Sequence, residues 1–246
     1  MEIKQKFLKN IRHAVASYGY DLTPQWRLES QPLARHLRKV FDHYQIDCVL
    51  DVGANKGQYR DFLREEVRYA GRIISFEPVK KYVDLLKSRA EEDASWTIVD
   101  HALGRDEATA EINVTKSPGL NSFLEPRHDA VEGFWDKETI VKESVVIKRL
   151  DDVFSGLQTR FGFQKPYVKL DTQGFDLEVV AGGMQALSSA SGLQTEASIK
   201  PIYTSMPNYR QTIETMEGLG FQLSGMFPVT HDDALRLIEF DCVMVR

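Results

Sequence analysis

From residue 48 onward, short apolar runs alternate with segments whose apolar residues recur at helical spacing. The runs at 48–52, 72–76 and 97–99 have the length and composition of buried strands. The segments at 59–67 and 79–90 repeat apolar residues every three or four positions, which predicts amphipathic helices. This β-α-β-α-β order predicts a parallel sheet with right-handed crossovers.

The pattern changes in the middle of the chain. Positions 108–115 alternate between apolar and polar residues, and 144–149 is a second strand candidate. Between them, residues 116–143 show no sustained periodicity but carry aromatic residues such as Phe134 and Trp135. Because loops of this length are often lids or binding loops, we expect a substrate-facing lid rather than a disordered insertion.

After this insertion the alternation of helices and strands resumes, with core strands predicted at 167–171 and 193–196. The chain ends in two strand runs, 221–226 and 235–245, joined by a short connection that contains Pro228. Since that connection holds no helix, the two runs are predicted to pair antiparallel. The fold class expected is therefore α/β, with a doubly wound, mostly parallel sheet and an inserted strand pair with a long loop.

The first 45 residues precede this pattern and predict two helices. Residues 2–18 place apolar side chains on one face and basic side chains on the other, and a second helix is expected over 32–44. The first helix is expected to pack on the domain or on the partner subunit of a homodimer; peripheral contact with a membrane surface is the alternative. We therefore divide the chain into an N-terminal helical extension, 1–45, and the main domain, 46–246, which form one compact domain overall.

Composition narrows the class of protein. The 246 residues include 31 Lys and Arg against 36 Asp and Glu, a net charge of −5, which argues against a nucleic-acid binder. No apolar run reaches the ~18 residues of a transmembrane helix, and the N-terminus does not have the pattern of a secretory signal. Both cysteines, Cys48 and Cys242, lie in apolar runs. Two buried thiols in a chain without a signal predict a reducing, cytoplasmic location.

A glycine-containing turn follows the first predicted strand. Gly53 and Gly57 lie between strand and helix, where glycine lets the backbone approach a ligand and the helix N-terminus offers free N–H groups. Their G-x-x-x-G spacing is neither a dinucleotide fingerprint nor a phosphate loop. Asp51 just before the turn would repel a pyrophosphate but suits a cationic ligand. S-adenosylmethionine meets both conditions, because it carries a sulfonium and no phosphate.

Further acids stand at the ends of the next two predicted strands. Glu77 ends the second strand, and Asp100 with His101 ends the third; Pro78 is expected to open the helix that follows Glu77. In open α/β sheets, ligands bind beyond the carboxyl ends of the strands, and an acid there can bind ribose hydroxyls. One such acid is usually a solvated or capping carboxylate, but together with Asp51 they favour an S-adenosylmethionine site.

At these residues the sequence resembles the class I S-adenosylmethionine-dependent methyltransferases, and more narrowly the FkbM-type O-methyltransferases. The resemblance covers residues 48–245 and departs from the family at Asp176, where Glu is more common. The segments that carry it are D-V-G-A-N-K-G at 51–57, S-F-E-P at 75–78, A-L-G at 102–104, N-S at 121–122, R-L-D-D at 149–152 and V-K-L-D-T-Q-G-F-D-L-E-V-V-A-G-G at 168–183.

The resemblance implies a seven-stranded sheet whose last strand is antiparallel, with S-adenosylmethionine as the cofactor. It implies that residues 53–59 hold the methionine moiety of the cofactor and that Glu77 binds its ribose. It also implies that residues 100–102 lie near its adenine. It also implies a hydroxyl of a sugar, glycan or small metabolite as acceptor, with Asn121 and Ser122 as substrate residues. The full set of expected cofactor residues is Asp51, Gly53, Ala54, Asn55, Gly57, Gln58, Tyr59, Glu77, Pro78, Asp100, His101, Ala102, Asp171 and Gln173.

Methyl transfer to an alcohol requires in-line placement of the oxygen and a base for its proton. Asp171, at the end of the fourth core strand, is the first candidate for the base; orientation of the cofactor's sulfonium side is an equally weighted role for it. Glu196, ending the fifth strand, is the second candidate. His128 and His231 are in reserve, since each falls in a loop where it can simply be solvated.

Other charged residues are expected to be structural. Lys169, two positions before Asp171 on the same strand face, favours a buried ion pair with Glu196 or Asp176 over a catalytic role. The pair at 151–152 favours helix capping over metal binding, and the His-Asp-Asp run at 231–233 favours a turn over a metal site, so we predict no obligatory metal. Two other functions stay open: a cofactor-binding protein without transfer activity, and a nucleotide-dependent oxidoreductase, which the missing G-x-G-x-x-G opposes.

Overall fold

The computed structural model describes Val15, residues 24–131, Trp135 and residues 139–246. Apart from Val15, the helix predicted over 2–18 lies outside the described residues, as does Phe134. In the described part of the chain, no helix is both long enough and apolar enough to cross a membrane.

A seven-stranded sheet forms the centre of the described structure. Its strands are β1 (Cys48–Val52), β2 (Arg72–Phe76), β3 (Trp96–Val99), β7 (Pro166–Leu170), β8 (Gly192–Ser198), β9 (Gln222–His231) and β10 (Leu237–Val245). They lie in the order β3-β2-β1-β7-β8-β10-β9. β10 is antiparallel to both of its neighbours and the other pairs are parallel. The expected mostly parallel sheet with an antiparallel last strand is therefore confirmed.

The inserted strands form a separate small sheet. β5 (Ala108–Val114) pairs antiparallel with β6 (Val141–Lys148), and the two-residue β4 (Ala102–Leu103) pairs parallel with β6. Ile112 of β5 and Val145 of β6 pack together on the helix that follows β2. The insertion is thereby fixed beside the carboxyl ends of β1 and β2.

Seven α-helices are found among the described residues, and they pack on both faces of the central sheet. α1 begins in the N-terminal extension and buries Leu33, Leu37 and Phe41 against β1, β2, β7 and β10. Their bounds are α1 (Gln31–Tyr44), α2 (Gln58–Phe62), α3 (Lys80–Ala90), α4 (Leu150–Phe161), α5 (Asp176–Ala181), α6 (Met184–Ser188) and α7 (Tyr209–Gly218), and a π-helical turn, Leu63–Val67, continues α2.

Two predictions about prolines are wrong. Pro228 is not in the connection between the last two strands but within β9, opposite Phe240. β9 is the edge strand of the sheet, and a strand edge tolerates a residue that has no N–H to donate. Pro78 does not open α3, which begins at Lys80 with Val79 as its N-cap. Pro78 instead lies in the link that leaves β2.

Candidate active site

Two adjoining cavities lie at the carboxyl ends of the central strands, where β1 separates β2 from β7 and the strand order changes direction. This is the position at which open α/β sheets bind ligands. The smaller cavity has a volume of about 70 Å³ and the larger one about 550 Å³. The residues that line both are Gly53, Asn55, Gly119, Asp171 and Gln173. A ligand at this junction would therefore contact the turns after both β1 and β7.

The turn after β1 lies directly against the turn after β7. Gly53 has a φ of 87°, and a Cβ atom at this position would lie 2.0 Å from the carbonyl oxygen of Asp171. Asn55 also has a positive φ, of 51°. Its side-chain Oδ1 is buried and has no hydrogen-bond partner among the described residues. The turn therefore presents backbone and an unsatisfied polar atom to the cavities, as a ligand site requires.

Glu77 ends β2 and lines the smaller cavity. It is almost fully buried, and its carboxylate accepts hydrogen bonds from the backbone N–H groups of Asn55 at 2.7 Å and Val79 at 2.9 Å. Burial raises its pKa to about 7. Because each carboxylate oxygen can accept more than one hydrogen bond, Glu77 both fixes the turn after β1 and keeps capacity for a ligand hydroxyl.

The rest of the smaller cavity is mainly apolar. Its walls include Phe76 and Pro78 from the end of β2, Ala102 from β4, and Ile112 and Phe123 from the insertion. A flat apolar slot beside a carboxylate can bind an aromatic base next to its sugar. The inserted sheet therefore forms one wall of the cavity at which a nucleoside would lie.

Four of the expected cofactor residues do not line either cavity. Gly57 is the N-cap of α2 and lies against Leu86 and Trp96. The Asp51 carboxylate is fully buried below the turn, where it accepts a hydrogen bond from Ser75 at 2.8 Å. Asp100 forms an exposed ion pair with Lys87 at 2.7 Å. His101 packs edge-on against Phe76, and its Nε2 is buried without a partner in the described structure.

Asp171 and Glu196 come together at the ends of β7 and β8. The Lys169 ammonium donates to Asp171 at 2.6 Å and lies 4.0 Å from the Asp51 carboxylate. Burial alone would raise the pKa of Asp171, but the Lys169 charge outweighs it and the pKa is lowered. The side-chain amide of Gln173 donates to both Asp171 (3.0 Å) and Glu196 (2.9 Å). The site thus holds two carboxyl groups, one amide donor and one ammonium.

The ion pair of Lys169 was expected, but not with its actual partner. Asp176, one of the two partners expected, lies instead in the first turn of α5 and accepts hydrogen bonds from the Thr172 N–H and the Thr195 hydroxyl, each at 2.8 Å. Glu196, the other expected partner, accepts a hydrogen bond from the Gln173 side chain instead. Asp171 is closer to the ammonium because Lys169 and Asp171 lie on one face of the chain two positions apart.

The sequence model of the methyltransferase FkbM domain matches residues 51–223. The chain belongs to the FkbM methyltransferase family. The model covers most of the central sheet and the insertion but ends within β9, so that α1 and β10 lie outside it. A comparison with curated proteins finds no match.

The fold of this FkbM protein is similar to that of a solved methyltransferase structure. The methyltransferase FkbM from Methylobacillus flagellatus aligns with a TM-score of 0.50 and 13% identity, covering 81% of this chain and 43% of that one. A SAM-dependent methyltransferase from Aquifex aeolicus aligns with a TM-score of 0.42 and 11% identity, covering 91% and 94% of the two chains. The present chain therefore spans less than half of the Methylobacillus protein, and at such identities the likeness concerns the fold alone.

The larger cavity includes residues outside the part matched by the FkbM model. Glu239 and Asp241 of β10 line it, as do Glu29, Ser30 and Leu33 near α1. Burial raises the pKa of Asp241 to about 6. None of these five residues was expected from the sequence. For Glu239 and Asp241 a usable signal exists, because acids stand at alternate positions of the apolar run L-I-E-F-D-C-V-M-V.

A chain of hydrogen bonds crosses the floor of the larger cavity. The Tyr59 hydroxyl donates to the Gln194 side-chain carbonyl, and the Gln194 amide donates to Asp241, each at 2.8 Å. The Lys169 ammonium lies 5.1 Å from the centre of the Tyr59 ring. Tyr59 and Gln58 are two of the expected cofactor residues, and both line this larger cavity.

The FkbM insertion meets the site through its first half. Asn121 lines the smaller cavity and accepts a hydrogen bond from the Thr115 N–H at 2.9 Å. Ser122 is buried and donates to the carbonyl oxygen of Gln173 at 2.7 Å. Trp135 is also buried, in a small apolar cluster with Tyr203, and His128 lies beside it. Their roles toward a substrate stay predictions.

The other acidic pairs have structural partners. Asp151 accepts hydrogen bonds from the N–H groups of Gln185 (3.0 Å) and Ala186 (2.9 Å), so it caps α6 rather than its own helix α4. Asp232 accepts from the N–H and the guanidinium of Arg236 within the turn between β9 and β10. It also forms an ion pair with Lys200 at 3.0 Å.

Proposed function

We propose that this FkbM-family protein transfers a methyl group from S-adenosylmethionine to a hydroxyl of a sugar, glycan or small metabolite. The observation that carries the proposal is the junction of the two cavities at Asp171. On one side lies a narrow apolar slot with Glu77, and on the other a cavity with room for an acceptor and carboxyl groups that bind its hydroxyls.

The residues at the junction fit the cofactor by their chemistry. The described residues that line the smaller cavity include Glu77 and Asp171 but neither lysine nor arginine. The acidic lining of this cavity suits a sulfonium and disfavours the pyrophosphate of a dinucleotide. The buried Oδ1 of Asn55, which has no partner in the described structure, is available to the cofactor's amino group. Glu77 would accept hydrogen bonds from the ribose.

When bound, S-adenosylmethionine supplies a methyl carbon whose bonding electrons return to sulfur as the acceptor oxygen forms the new bond and loses its proton. In this proposal Asp171, kept ionised by Lys169, lies at the junction and attracts the cationic side of the cofactor. Glu196 lines only the larger cavity. It therefore faces the acceptor and receives the hydroxyl proton.

Calorimetric titration with S-adenosylmethionine, and with NAD in parallel, tests the cofactor assignment. We expect binding of the first and not the second. Glu77→Gln should weaken binding about tenfold or more, because loss of a charged acceptor costs about 1.5–3 kcal/mol. Glu111→Gln is the control, since that carboxylate is exposed on the inserted sheet. If the cofactor does not bind, or if it binds equally well to both variants, the assignment is wrong.

A methyl-transfer screen over hydroxyl acceptors separates the roles of the two acids. Glu196→Gln should lower kcat by about 10²–10⁴-fold with little change in cofactor affinity, as expected for loss of a base. Asp171→Asn should mainly raise the Kd for the cofactor. If instead Asp171→Asn lowers kcat and Glu196→Gln raises the Kd for the cofactor, then Asp171 is the base and Glu196 the cofactor ligand. Tight cofactor binding without turnover of any acceptor would favour a binding protein without transfer activity.

A further inference from the structure

Gln173 connects the two carboxyl groups at the junction in a fixed geometry. Its Nε2 donates to Asp171 Oδ1 at 3.0 Å and to Glu196 Oε2 at 2.9 Å. The Tyr203 hydroxyl lies 3.3 Å from Gln173 Oε1, which orients the amide with its nitrogen toward the acids. Ser122 holds the backbone of Gln173, where φ is 52°. The two acids are thereby held as a pair.

The surroundings of the two acids are unequal. Asp171 has the Lys169 ammonium at 2.6 Å, whereas Glu196 has no cation within ion-pair distance in the described part of the chain. The groups acting on Glu196 are Asp171, Glu239 and Asp241, which are all acidic, and the more distant Lys169. Desolvation raises the pKa of Glu196 well above its ordinary value, and these three carboxylates raise it further.

We propose that Glu196 carries a proton in the ligand-free protein and loses it when a sulfonium enters the adjoining cavity, so that Glu196 becomes a base only after the cofactor has bound. The inference rests on the proposed function, because it takes S-adenosylmethionine as the cation. An added positive charge near Asp171 and Glu196 stabilises the ionised form of both acids. Glu196 is the one of the two that still has a proton to lose.

This order has a chemical consequence for the transfer. The proton released on binding passes to solvent, and the resulting Glu196 carboxylate later takes the proton of the acceptor hydroxyl. Glu196 then keeps that proton and is back in its starting state when the products leave, so the one proton released on binding is the one proton that the overall reaction produces. An acceptor that enters before the cofactor finds Glu196 protonated. In this state Glu196 donates a hydrogen bond to the acceptor hydroxyl and leaves its proton in place.

Calorimetry in two buffers of different ionisation enthalpy measures the protons released on binding. At pH 7 we expect S-adenosylmethionine to release about one proton and S-adenosylhomocysteine, which has no sulfonium, to release far fewer. Because both ligands carry the ribose, any proton exchanged at Glu77 is common to the two. Glu196→Gln should still bind S-adenosylmethionine but should lose the difference between the ligands, whereas the control variant Glu111→Gln, at an exposed carboxylate of the inserted sheet, should keep it.

A second measurement needs no variant. If the sulfonium expels a proton, the ratio of the Kd for S-adenosylmethionine to the Kd for S-adenosylhomocysteine should fall by up to about tenfold from pH 6 to pH 7, because any contribution of Glu77 is the same for both ligands. Equal proton release for both ligands, or a difference between them that survives Glu196→Gln, would overturn the inference while the proposed function stands. Absence of binding by either ligand would overturn both.

Discussion

Gly53 shows what one backbone position contributes to the junction of the two cavities. Its positive φ and its closeness to the Asp171 carbonyl leave no room for a side chain. Gly53→Ala should therefore lower the free energy of unfolding by about 3 kcal/mol or more, from the left-handed conformation and the overpacking together. Urea unfolding of the ligand-free protein measures this change.

Gly162 supplies the matched control for that substitution. Its φ of 74° is similarly left-handed, but nothing lies within 4 Å of a Cβ atom there. Gly162→Ala should cost only the conformational part, about 1–2 kcal/mol. Equal losses for the two variants would show that the contact with Asp171 is not what constrains Gly53.

Lys169 is the single residue whose charge most affects the acids of the site. It pairs with Asp171 and Asp51 and is itself only 5% exposed. Lys169→Met would leave buried carboxylates without their cation, so we expect a loss of about 3–5 kcal/mol in the free energy of unfolding at pH 7.

The exposed ion pair between Lys87 and Asp100 gives the comparison. Lys87→Met should change stability by only about 0–1 kcal/mol. The deficit of Lys169→Met should also shrink as the pH is lowered toward 4, because protonation removes the unpaired negative charge. A deficit that does not depend on pH would show that packing, not charge, is what Lys169 contributes.

At this scale, the sequence could predict which residues come together but not every partner. Glu77 and Asp171 each follow an apolar strand and Asp51 lies near the end of another, and parallel strands bring such ends to one edge. The partner of Lys169 depends on side-chain direction, which strand spacing leaves undecided among several nearby acids. Glu239 and Asp241 were missed because β10 is predominantly apolar and its pairing with β8, which brings these acids beside Glu196, was not predicted.

At the scale of whole elements, α1 packs directly on the central sheet and belongs to its hydrophobic core. Leu37 is fully buried against the sheet and belongs to the same apolar cluster as Val49 and Ile73. Leu37→Ala should therefore cost about 2–5 kcal/mol in the free energy of unfolding of the whole chain. Leu85→Ala on α3 is the control, because Leu85 is 42% exposed and such surface changes stay within about 0.5 kcal/mol.

A single cooperative unfolding transition is expected for Leu37→Ala, shifted to lower urea concentration. Two separate transitions, with only the first one shifted, would mean that α1 unfolds independently of the sheet. That outcome would favour treating 1–45 as a separate unit from 46–246, a division that stays a prediction.

The elements themselves were largely predictable from periodicity, and the errors have local causes. The strand and helix pattern of the central sheet follows directly from apolar spacing. Pro228 was placed in a turn because proline is rare in strands, but β9 is an edge strand and one of its sides has no partner. β4 is only two residues long and has no periodicity to detect.

At the scale of the whole molecule, the buried acids set the pH dependence of stability. Burial raises the pKa of Glu77 to about 7 and that of Asp241 to about 6, and it also raises the pKa of Asp51 and Asp176. The folded protein therefore binds more protons than the unfolded chain between about pH 4 and pH 7. As a result, these groups stabilise the fold at low pH and stop doing so as the pH rises through their folded values.

Other acids act in the opposite direction at lower pH. Asp93 is held ionised by Arg64 and Arg60, which outweigh the effect of its burial and lower its pKa. Its stabilising contribution is complete above the pKa of the unfolded chain and is lost as the pH falls below it. Asp171, whose pKa is also lowered, contributes in the same way. The ligand-free protein should therefore be most stable near pH 5.

Urea unfolding at pH 5, 6, 7 and 8 tests this expectation. The free energy of unfolding should fall from pH 5 to pH 8, and Glu77 alone accounts for about 2.5 kcal/mol of the fall if its pKa changes from 4.5 to about 7. Glu77→Gln should show a correspondingly flatter curve, whereas Glu111→Gln should follow the unmodified protein. Stability that rises steadily to pH 8 would contradict the protonation assigned to these acids, because it requires the unfolded chain to bind more protons than the folded one.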